Sequence, residues 1–329
     1  MAERVLLVAD PGLPHDLALQ IAPLLPWEVC VSSSWLPADD DGHLRPPSGV
    51  RRRAGELVLL LTDAPRADDA GPVVAELRPS DGTGIVSLPA LGAMGLRRRA
   101  TAAVTRVIQE LSGATDHRRL GSFSRCEGDT VRFVANAGFG RLRVLAGMVR
   151  ANRPWRLLPH LSKAFAAALA ILAYALLNQT IWQLAGRLGD WRLAVTMVLA
   201  IGTMVVWLIV NHEMWERPVE PSERKRAAQF NAATVATLVI GVLFLYSGLL
   251  VMGLVADRVL LDNGVIESAT NKESTFAQHI AVVWLASSIA TVAGAVGTGF
   301  ESRDAVRQAA YGFRQRERLE RSPSRNDPR

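Results

Sequence analysis

The pattern of apolar and charged positions divides the chain into two halves. In the second half, four stretches contain no charged residue, and they lie at 164–182, 193–210, 232–256 and 280–300. An α-helix rises about 1.5 Å per residue, so roughly 20 apolar residues cross a hydrocarbon layer about 30 Å thick. The pattern therefore predicts an all-α bundle of four transmembrane helices.

The first half carries shorter apolar runs, which alternate with helical stripes. The runs have the length of buried strands, and they lie at 4–10, 27–35, 57–61, 73–77 and 85–88. Apolar residues at helical spacing predict helices at 15–25 and 96–111. Continuous apolar strands that alternate with helices are typical of a mostly parallel sheet covered on both faces. Residues 1–120 are therefore predicted to form an α/β domain.

A basic segment, residues 121–163, connects the two halves. It holds 8 Lys and Arg against 2 Asp and Glu, and its arginines alternate with apolar residues. This pattern is typical of a helix that lies on an anionic membrane surface. The residues predicted to contact the leaflet are Arg141, Arg143, Arg150, Arg153, Trp155 and Arg156. The alternative is an ordinary amphipathic helix packed against the α/β domain.

The distribution of Lys and Arg around the four stretches predicts their orientation. Eighteen lie in the approach to the first stretch at 141–163, between the second and third stretches, or in the tail at 301–329, and four lie in the other two loops. Positive charge accumulates on the cytoplasmic side of a membrane, so both termini and the α/β domain are predicted to be cytoplasmic. The basic excess lies beside the apolar half, which favours the lipid bilayer and its anionic headgroups as partners, with no nucleic acid. The end of the tail is predicted to be disordered.

Two carboxylates follow directly after buried strands and are the candidate ligand-binding residues. Asp10 follows the first strand and Asp63 the third. Ligands bind open α/β sheets at the carboxyl ends of the strands, which is where both residues are expected. The phosphate-binding patterns GxGxxG and GxxxxGK[ST] do not occur in the sequence. Asp-Pro also opens many turns, so a purely structural role for Asp10 remains the alternative.

Histidine and cysteine spacing predicts neither a metal site nor a catalytic site. The six histidines are scattered, and Cys30 and Cys126 belong to no CxxC pair. A serine nucleophile in a GxSxG turn is also missing from the sequence. We therefore predict no metal, no cofactor and no catalytic residue. Polar residues at the ends of the four stretches, His279 among them, are interpreted as helix ends wetted by headgroups.

The order of motifs along most of the chain resembles one family. VADPGLP, LLLTDAP and GIVSLPALG precede RLRVLAGMVRANRPWRLLP, which leads into the first apolar stretch. This order is similar to that of uncharacterised multi-pass membrane proteins of high-GC Gram-positive bacteria. The resemblance implies a location in the bacterial plasma membrane and no known activity.

A second resemblance covers residues 55–113. LLLTD, then IVSLPAL, then a helix that carries Glu110 resemble the layout of archaemetzincin-like peptidases, in which the helix contains HExxH. Glu110 matches the general-base position, but Gln109 and Gly113 occupy the places of the two metal-binding histidines. The resemblance therefore implies a degenerate zincin scaffold without zinc. The alternative is that Glu110 is a solvated residue near a helix end formed by Ser112 and Gly113.

These patterns favour a non-enzymatic membrane protein. Its cytoplasmic domain would bind a protein partner or a small ligand, and its bundle would act as an anchor. Two alternatives remain: an oligomeric small transporter or channel subunit, and an enzyme or degenerate zincin-like domain tethered to the membrane. The sequence leaves homo-oligomerisation open.

Overall fold

The computed structural model describes residues 4–37, 44, 55–68, 71–113, 124–127, 129–135, 137–152, 154, 161–218, 224–260, 264, 267 and 275–298. These residues form two compact units, which divide between Ala151 and Asn152. The first unit contains all the described strands, and the second contains the long apolar helices. The predicted fold class, an α/β domain followed by apolar helices, is confirmed.

The first unit is built on one mixed sheet with the order β2-β1-β3-β6-β5-β8-β7, in which β4 pairs with β5. Strands β2, β1, β3 and β6 are parallel, while β5, β8 and β7 pair in antiparallel fashion at the other side. The strands are β1 (Arg4–Ala9), β2 (Glu28–Ser33), β3 (Leu57–Thr62), β4 (Ala67–Asp68), β5 (Gly71–Arg78), β6 (Thr83–Ser87), β7 (Ser124–Glu127) and β8 (Thr130–Val134).

Both faces of the parallel strands are covered, as their continuous apolar sequence predicts. One face packs against α1 (Leu13–Ile21) and α3 (Leu96–Leu111) in a single core. The opposite face packs against Leu36 and Leu44. The predicted helix at 96–111 has the same bounds as α3. Its close approach to β6 requires Gly84, where an added Cβ would lie 2.5 Å from Val107 Cγ1.

The first unit continues beyond residue 120, into the segment 121–163 that the sequence pattern assigns to a connector. Strands β7 and β8 extend the sheet, and α4 (Ala137–Asn152) follows them; the short helix α2 (Leu88–Leu91) lies earlier, directly after β6. Helix α4 packs on α2 at Gly147, where an added Cβ would lie 2.7 Å from Pro89 Cα. Apolar and polar residues alternate along β8, and this alternation indicates a strand. The arginine-rich composition of the segment obscures it.

The second unit consists of α5 (Ser162–Leu176), α6 (Gln179–Ala185), α7 (Asp190–Asn211), α8 (Arg224–Leu260) and α9 (Phe276–Gly297). Helices α7, α8 and α9 are each long and apolar enough to cross a membrane. Helices α5 and α6 meet at 82° and form either a broken fourth span or a re-entrant loop. The described residues therefore contain three candidate spans, or four with the bent pair. The end of the predicted stretch at 280–300 lies outside the described residues.

The predicted first span, 164–182, is not one straight helix, and Asn178 accounts for the bend. Its side-chain Oδ1 accepts a hydrogen bond from Thr180 N at 2.9 Å, which caps the start of α6. Asn competes with helical hydrogen bonding through its side chain and is favoured at such caps. Trp182 Nε1 donates to Leu176 O at 2.7 Å and satisfies a carbonyl at the end of α5.

Small residues at the interface let α9 approach α5 closely. An added Cβ at Gly294 would lie 3.1 Å from Ala168 Cβ, and one at Gly297 would lie 2.9 Å from Ala167 Cβ. Larger side chains at these two glycines would therefore push the helices apart. Ser287, Ser288 and Thr291 are also buried along α9.

Candidate functional site

Asp10 and Asp63 lie at the carboxyl edge of the parallel strands, where the sequence places them. Asp10 is fully buried, and each of its carboxylate oxygens accepts a hydrogen bond from within the first unit. Leu36 N donates to Oδ1 at 3.1 Å, and Thr62 Oγ1 donates to Oδ2 at 2.6 Å. These bonds connect the end of β1 to the end of β3 and to the chain after β2. Asp10 therefore has a clear structural task, and its role in ligand binding stays a prediction.

Asp63 is 8% exposed and directly follows Thr62, the residue that donates to Asp10. Thr62 Oγ1 also accepts from Ala64 N at 3.0 Å, so the turn after β3 is fixed by the same hydroxyl. The structure thus brings the two predicted residues to one edge of the sheet. Ligand binding by Asp63 stays a prediction.

The end of α3 does not have the geometry of a zinc-binding helix. The helix ends at Leu111, and Gly113 lies beyond it with a φ of 66°. Gln109 and Gly113 therefore do not present an i, i+4 pair on one helical face. Ser112 and Gly113 form the helix stop, but Glu110 is only 7% exposed, so the interpretation of it as a solvated residue is wrong. Within the described ranges, no three His, Cys, Asp or Glu side chains gather where they could hold a metal ion.

The predicted membrane-contacting residues of α4 fall on different sides of the helix. Arg141 and Arg150 are exposed, while Arg143 is half-buried. Arg153, Trp155 and Arg156 lie outside the described residues. Val144 and Met148 are buried in the first unit, so one face of α4 packs on its own domain.

The opposite face of α4 is apolar and open to solvent. Phe139 is 84% exposed and Leu142 is 66% exposed, and their spacing of three places them on one helical face. Arg141 is exposed as well, but residues one or two apart do not share a helical face, so it points to a different side of α4. The two alternatives that the sequence left open, a packed helix and a surface helix, therefore apply to two faces of the same helix.

Four arginines from α3 and α4 converge around the turn that precedes α3. We call Arg98, Arg99, Arg143 and Arg150 the α3–α4 arginine cluster. Arg99 Nη1 donates to Leu91 O at 2.9 Å, and Arg150 Nη1 donates to Ala93 O at 2.7 Å. The position of an added Cβ on Gly92 lies 2.7 Å from Arg143 Cγ and 3.2 Å from Arg99 Nη1. Among the described residues, none of the four arginines forms an ion pair with a carboxylate.

The electrostatics of Arg143 reflect this like-charge environment. Burial lowers the pKa of its guanidinium below the ordinary value, and the positive charge of Arg99 lowers the pKa further. Arg143 Nε is buried without a hydrogen-bond partner in the described part of the chain. The sequence reasoning named Arg143 and Arg150 but missed Arg98 and Arg99. The signal was three consecutive arginines at the start of a predicted helix, where positive charge is disfavoured.

A second group of arginines in the first unit surrounds a carboxylate. We call it the Glu76 cluster, which consists of Glu76, Arg66, Arg78 and Arg132. The Glu76 side chain is 1% exposed, and its Oε2 lies 2.8 Å from Arg66 Nη2 and 3.3 Å from Arg132 Nε. Its Oε1 lies 3.5 Å from Arg78 Nη2. This cluster joins β5 to β8 and to the turn before β4, so it stabilises the fold of the first unit.

The second unit contains a buried pair of ionisable residues, Asp257 on α8 and His279 on α9. His279 Nδ1 lies 2.8 Å from Asp257 Oδ2 and 2.9 Å from Oδ1, and the two side chains are 1% and 4% exposed. The interpretation of His279 as a residue wetted by headgroups is therefore wrong. The sequence contains a pattern that indicates this burial. Leu249, Gly253 and Asp257 are spaced by four, so they share one face of α8, which is buried.

Comparison with known proteins adds no relative: no protein-family model matches the chain, and neither a curated protein nor a solved structure is significantly similar to it.

Proposed function

We propose that this chain is a multi-pass protein of the bacterial plasma membrane with a binding role. Its α/β unit binds a protein partner or small ligand on the cytoplasmic side, and its apolar helices act as the anchor. The count of Lys and Arg on the two sides supports this orientation. A cytoplasmic position of both termini further requires that α5 and α6 together form a complete span.

The observation that carries the proposal is the outward face of α4. Phe139 and Leu142 expose large apolar surface near the start of α4, where Arg141 is also exposed, and α4 ends ten residues before α5 begins. Apolar side chains flanked by arginine bind the boundary between anionic headgroups and acyl chains. The short connection keeps this face near the membrane that the bundle enters. We propose that it rests on the anionic leaflet and holds the α/β unit there.

Depth measurement by spin labelling tests this role of α4 in the full-length protein. The native cysteines are replaced by serine, and a spin label is placed at position 142 or, as the control, at the exposed Gln109 of α3. In nanodiscs that contain anionic lipid, the label at 142 should show lipid-like access to oxygen, and the label at 109 should remain aqueous. Arg141→Gln should weaken docking about fivefold, since an arginine at such a surface contributes about 1 kcal/mol. An aqueous label at 142 in anionic nanodiscs would contradict the proposal.

Reporter fusions test the orientation. Fusions after Arg119 and after Arg321 should both report the cytoplasm, and fusions near Gly189 and Gly264 should report the outside. If the two termini report opposite sides, the bent pair α5–α6 is a re-entrant loop rather than a span.

The Asp257–His279 pair favours a second candidate function, a small transporter or channel subunit. Ionisable residues buried between membrane helices commonly mark proton or ion paths. Proteoliposomes that contain a pH-sensitive dye would show proton flux that is lost in Asp257→Asn. Flux that is absent from the wild-type protein, or unchanged in the variant, would leave the pair as a structural contact. The third alternative, an enzyme or degenerate zincin-like domain, has no observation in its favour beyond the sequence resemblance.

A further inference from the structure

The exposed face of α4 carries arginines as well as large apolar side chains. Phe139, Arg143 and Arg150 lie at positions i, i+4 and i+11, so they share one face of the helix. Leu142 borders this face at i+3, and Arg150 is exposed while Arg143 is half-buried. The face that the apolar pair occupies therefore also presents two members of the α3–α4 arginine cluster.

The turn that precedes α3 lies against this face of α4. Arg150 Nη1 donates to Ala93 O at 2.7 Å, and an added Cβ on Gly92 would lie 2.7 Å from Arg143 Cγ. Met94 follows Ala93 in the turn, and 80% of its surface is exposed. The two contacts join the turn to α4, so the exposed surface continues from Phe139 across the arginines to Met94.

The composition of this surface fits an anionic lipid leaflet. Its arginines form no ion pair with a carboxylate among the described residues, so they are available to attract negative charge. Arginines alone would suit any acidic partner, but large exposed apolar side chains beside them are typical of segments that bind the headgroup boundary. A bilayer is also within reach, because α4 ends ten residues before the first apolar helix begins.

We propose that the turn before α3 is a second membrane anchor, in which Met94 inserts among the headgroups of an anionic leaflet while Arg99 and Arg150 attract the lipid phosphates. This inference rests on the proposed docking of α4 and goes beyond it. Contact through α4 alone would leave the α/β unit free to roll about the axis of that helix. A second contact, away from that axis, fixes the orientation of the unit on the leaflet.

Spin labels on the full-length protein in nanodiscs test the second anchor. Cys30 and Cys126 are replaced by serine, and a nitroxide is attached at Met94→Cys or, as the control, at Leu24→Cys. Leu24 is also a large apolar residue and is 53% exposed, but residues 14–34 contain no Lys or Arg. With phosphatidylglycerol in the bilayer, the label at 94 should show lipid-like access to oxygen, and the label at 24 should remain aqueous. In phosphatidylcholine alone, both labels should be aqueous.

Arginine variants, read by the label at position 94, test the role of charge. They are compared at the phosphatidylglycerol content that gives equal lipid-exposed and aqueous populations without the substitution. Arg99→Gln and Arg150→Gln should each lower the ratio of these populations about fivefold, since one arginine near an anionic surface contributes about that ratio. Arg97→Gln is the matched control, because residues two apart point to nearly opposite sides of a helix, and it should change the ratio less than about twofold. Arg99→Lys keeps the charge without the guanidinium and should leave the ratio unchanged.

The label at position 142 separates failure of this inference from failure of the proposed function. A lipid-exposed label at 142 with an aqueous label at 94 would overturn the second anchor and leave the docking of α4 intact, whereas aqueous labels at both positions would overturn both. Lipid access at 94 that is equal in phosphatidylcholine would also contradict the inference, since charge would then play no part. So would equal losses in Arg97→Gln and Arg99→Gln, which indicate general attraction to a basic domain, or in Arg99→Lys and Arg99→Gln, which indicate a structural role of the guanidinium.

Discussion

The two arginine clusters of the first unit differ in charge compensation: one surrounds a carboxylate, and the other does not. In the Glu76 cluster, three arginines from separate segments surround one buried carboxylate. In the α3–α4 arginine cluster, four arginines meet without a carboxylate among the described residues. Burying a charge is costly unless it is paired, so the first cluster stabilises the fold and the second does not. The difference indicates that the charges of one cluster are compensated within the domain, while the other cluster keeps a net positive charge near the surface.

The largest expected effect is on the complete cluster. Glu76→Gln should lower the free energy of unfolding of the first unit by about 3 kcal/mol, because three arginines lose the carboxylate that compensates them. Denaturant-dependent hydrogen exchange of the β5 and β8 amides in the full-length protein measures this change. Glu28→Gln is the control: its partner is Arg4, both side chains are at least half exposed, and the cost should stay below about 1 kcal/mol. Equal effects of the two variants would contradict the structural role of Glu76.

The paired state of Asp257 and His279 predicts a smaller but clear effect in the second unit. Asp257→Ala should lower the stability of the α8–α9 contact by about 2 kcal/mol, since His279 loses a buried hydrogen-bond partner. Thermal unfolding in nanodiscs, compared with Asp190→Ala at the exposed start of α7, measures it. A melting temperature that falls equally in both variants would show that the pair contributes nothing specific.

The smallest stability effect is expected in the unpaired cluster, and this result would sharpen the comparison most. Arg143→Met keeps the packing of the side-chain stem and removes a half-buried charge that has no carboxylate partner. Its effect on the unfolding free energy should lie within about 0.5 kcal/mol of zero or be stabilising. Arg132→Met, which removes a partner of Glu76, should cost clearly more in the same hydrogen-exchange experiment. If the two substitutions lower the unfolding free energy equally, the carboxylate in the Glu76 cluster does not distinguish the two clusters energetically.

The sequence predicts the helices and strands that local residue patterns determine. It does not predict features that depend on contacts with residues remote in sequence. The bounds of α3 are predicted because its apolar residues recur at helical spacing and Gly113 ends it. The hairpin β7–β8 is not predicted, since its pairing with β5 is remote in sequence. The bend at Asn178 and the burial of His279 are also missed, because a hydropathy count averages over single polar residues. At the candidate site, Arg143 is recognised from composition, while its meeting with Arg99 requires the fold.

The length of α8 has a consequence for how the second unit meets the bilayer. Its 37 residues extend over about 55 Å, well beyond the hydrocarbon thickness of about 30 Å. Tilting it enough to immerse the whole helix would exceed the range of about 0 to 40° found for membrane helices. As a transmembrane span, α8 would therefore keep at least one end outside the hydrocarbon as a continuous helical rod. Arg224 at one end and Asp257 near the other are fixed to the same stiff element, so any rotation of the rod moves both together.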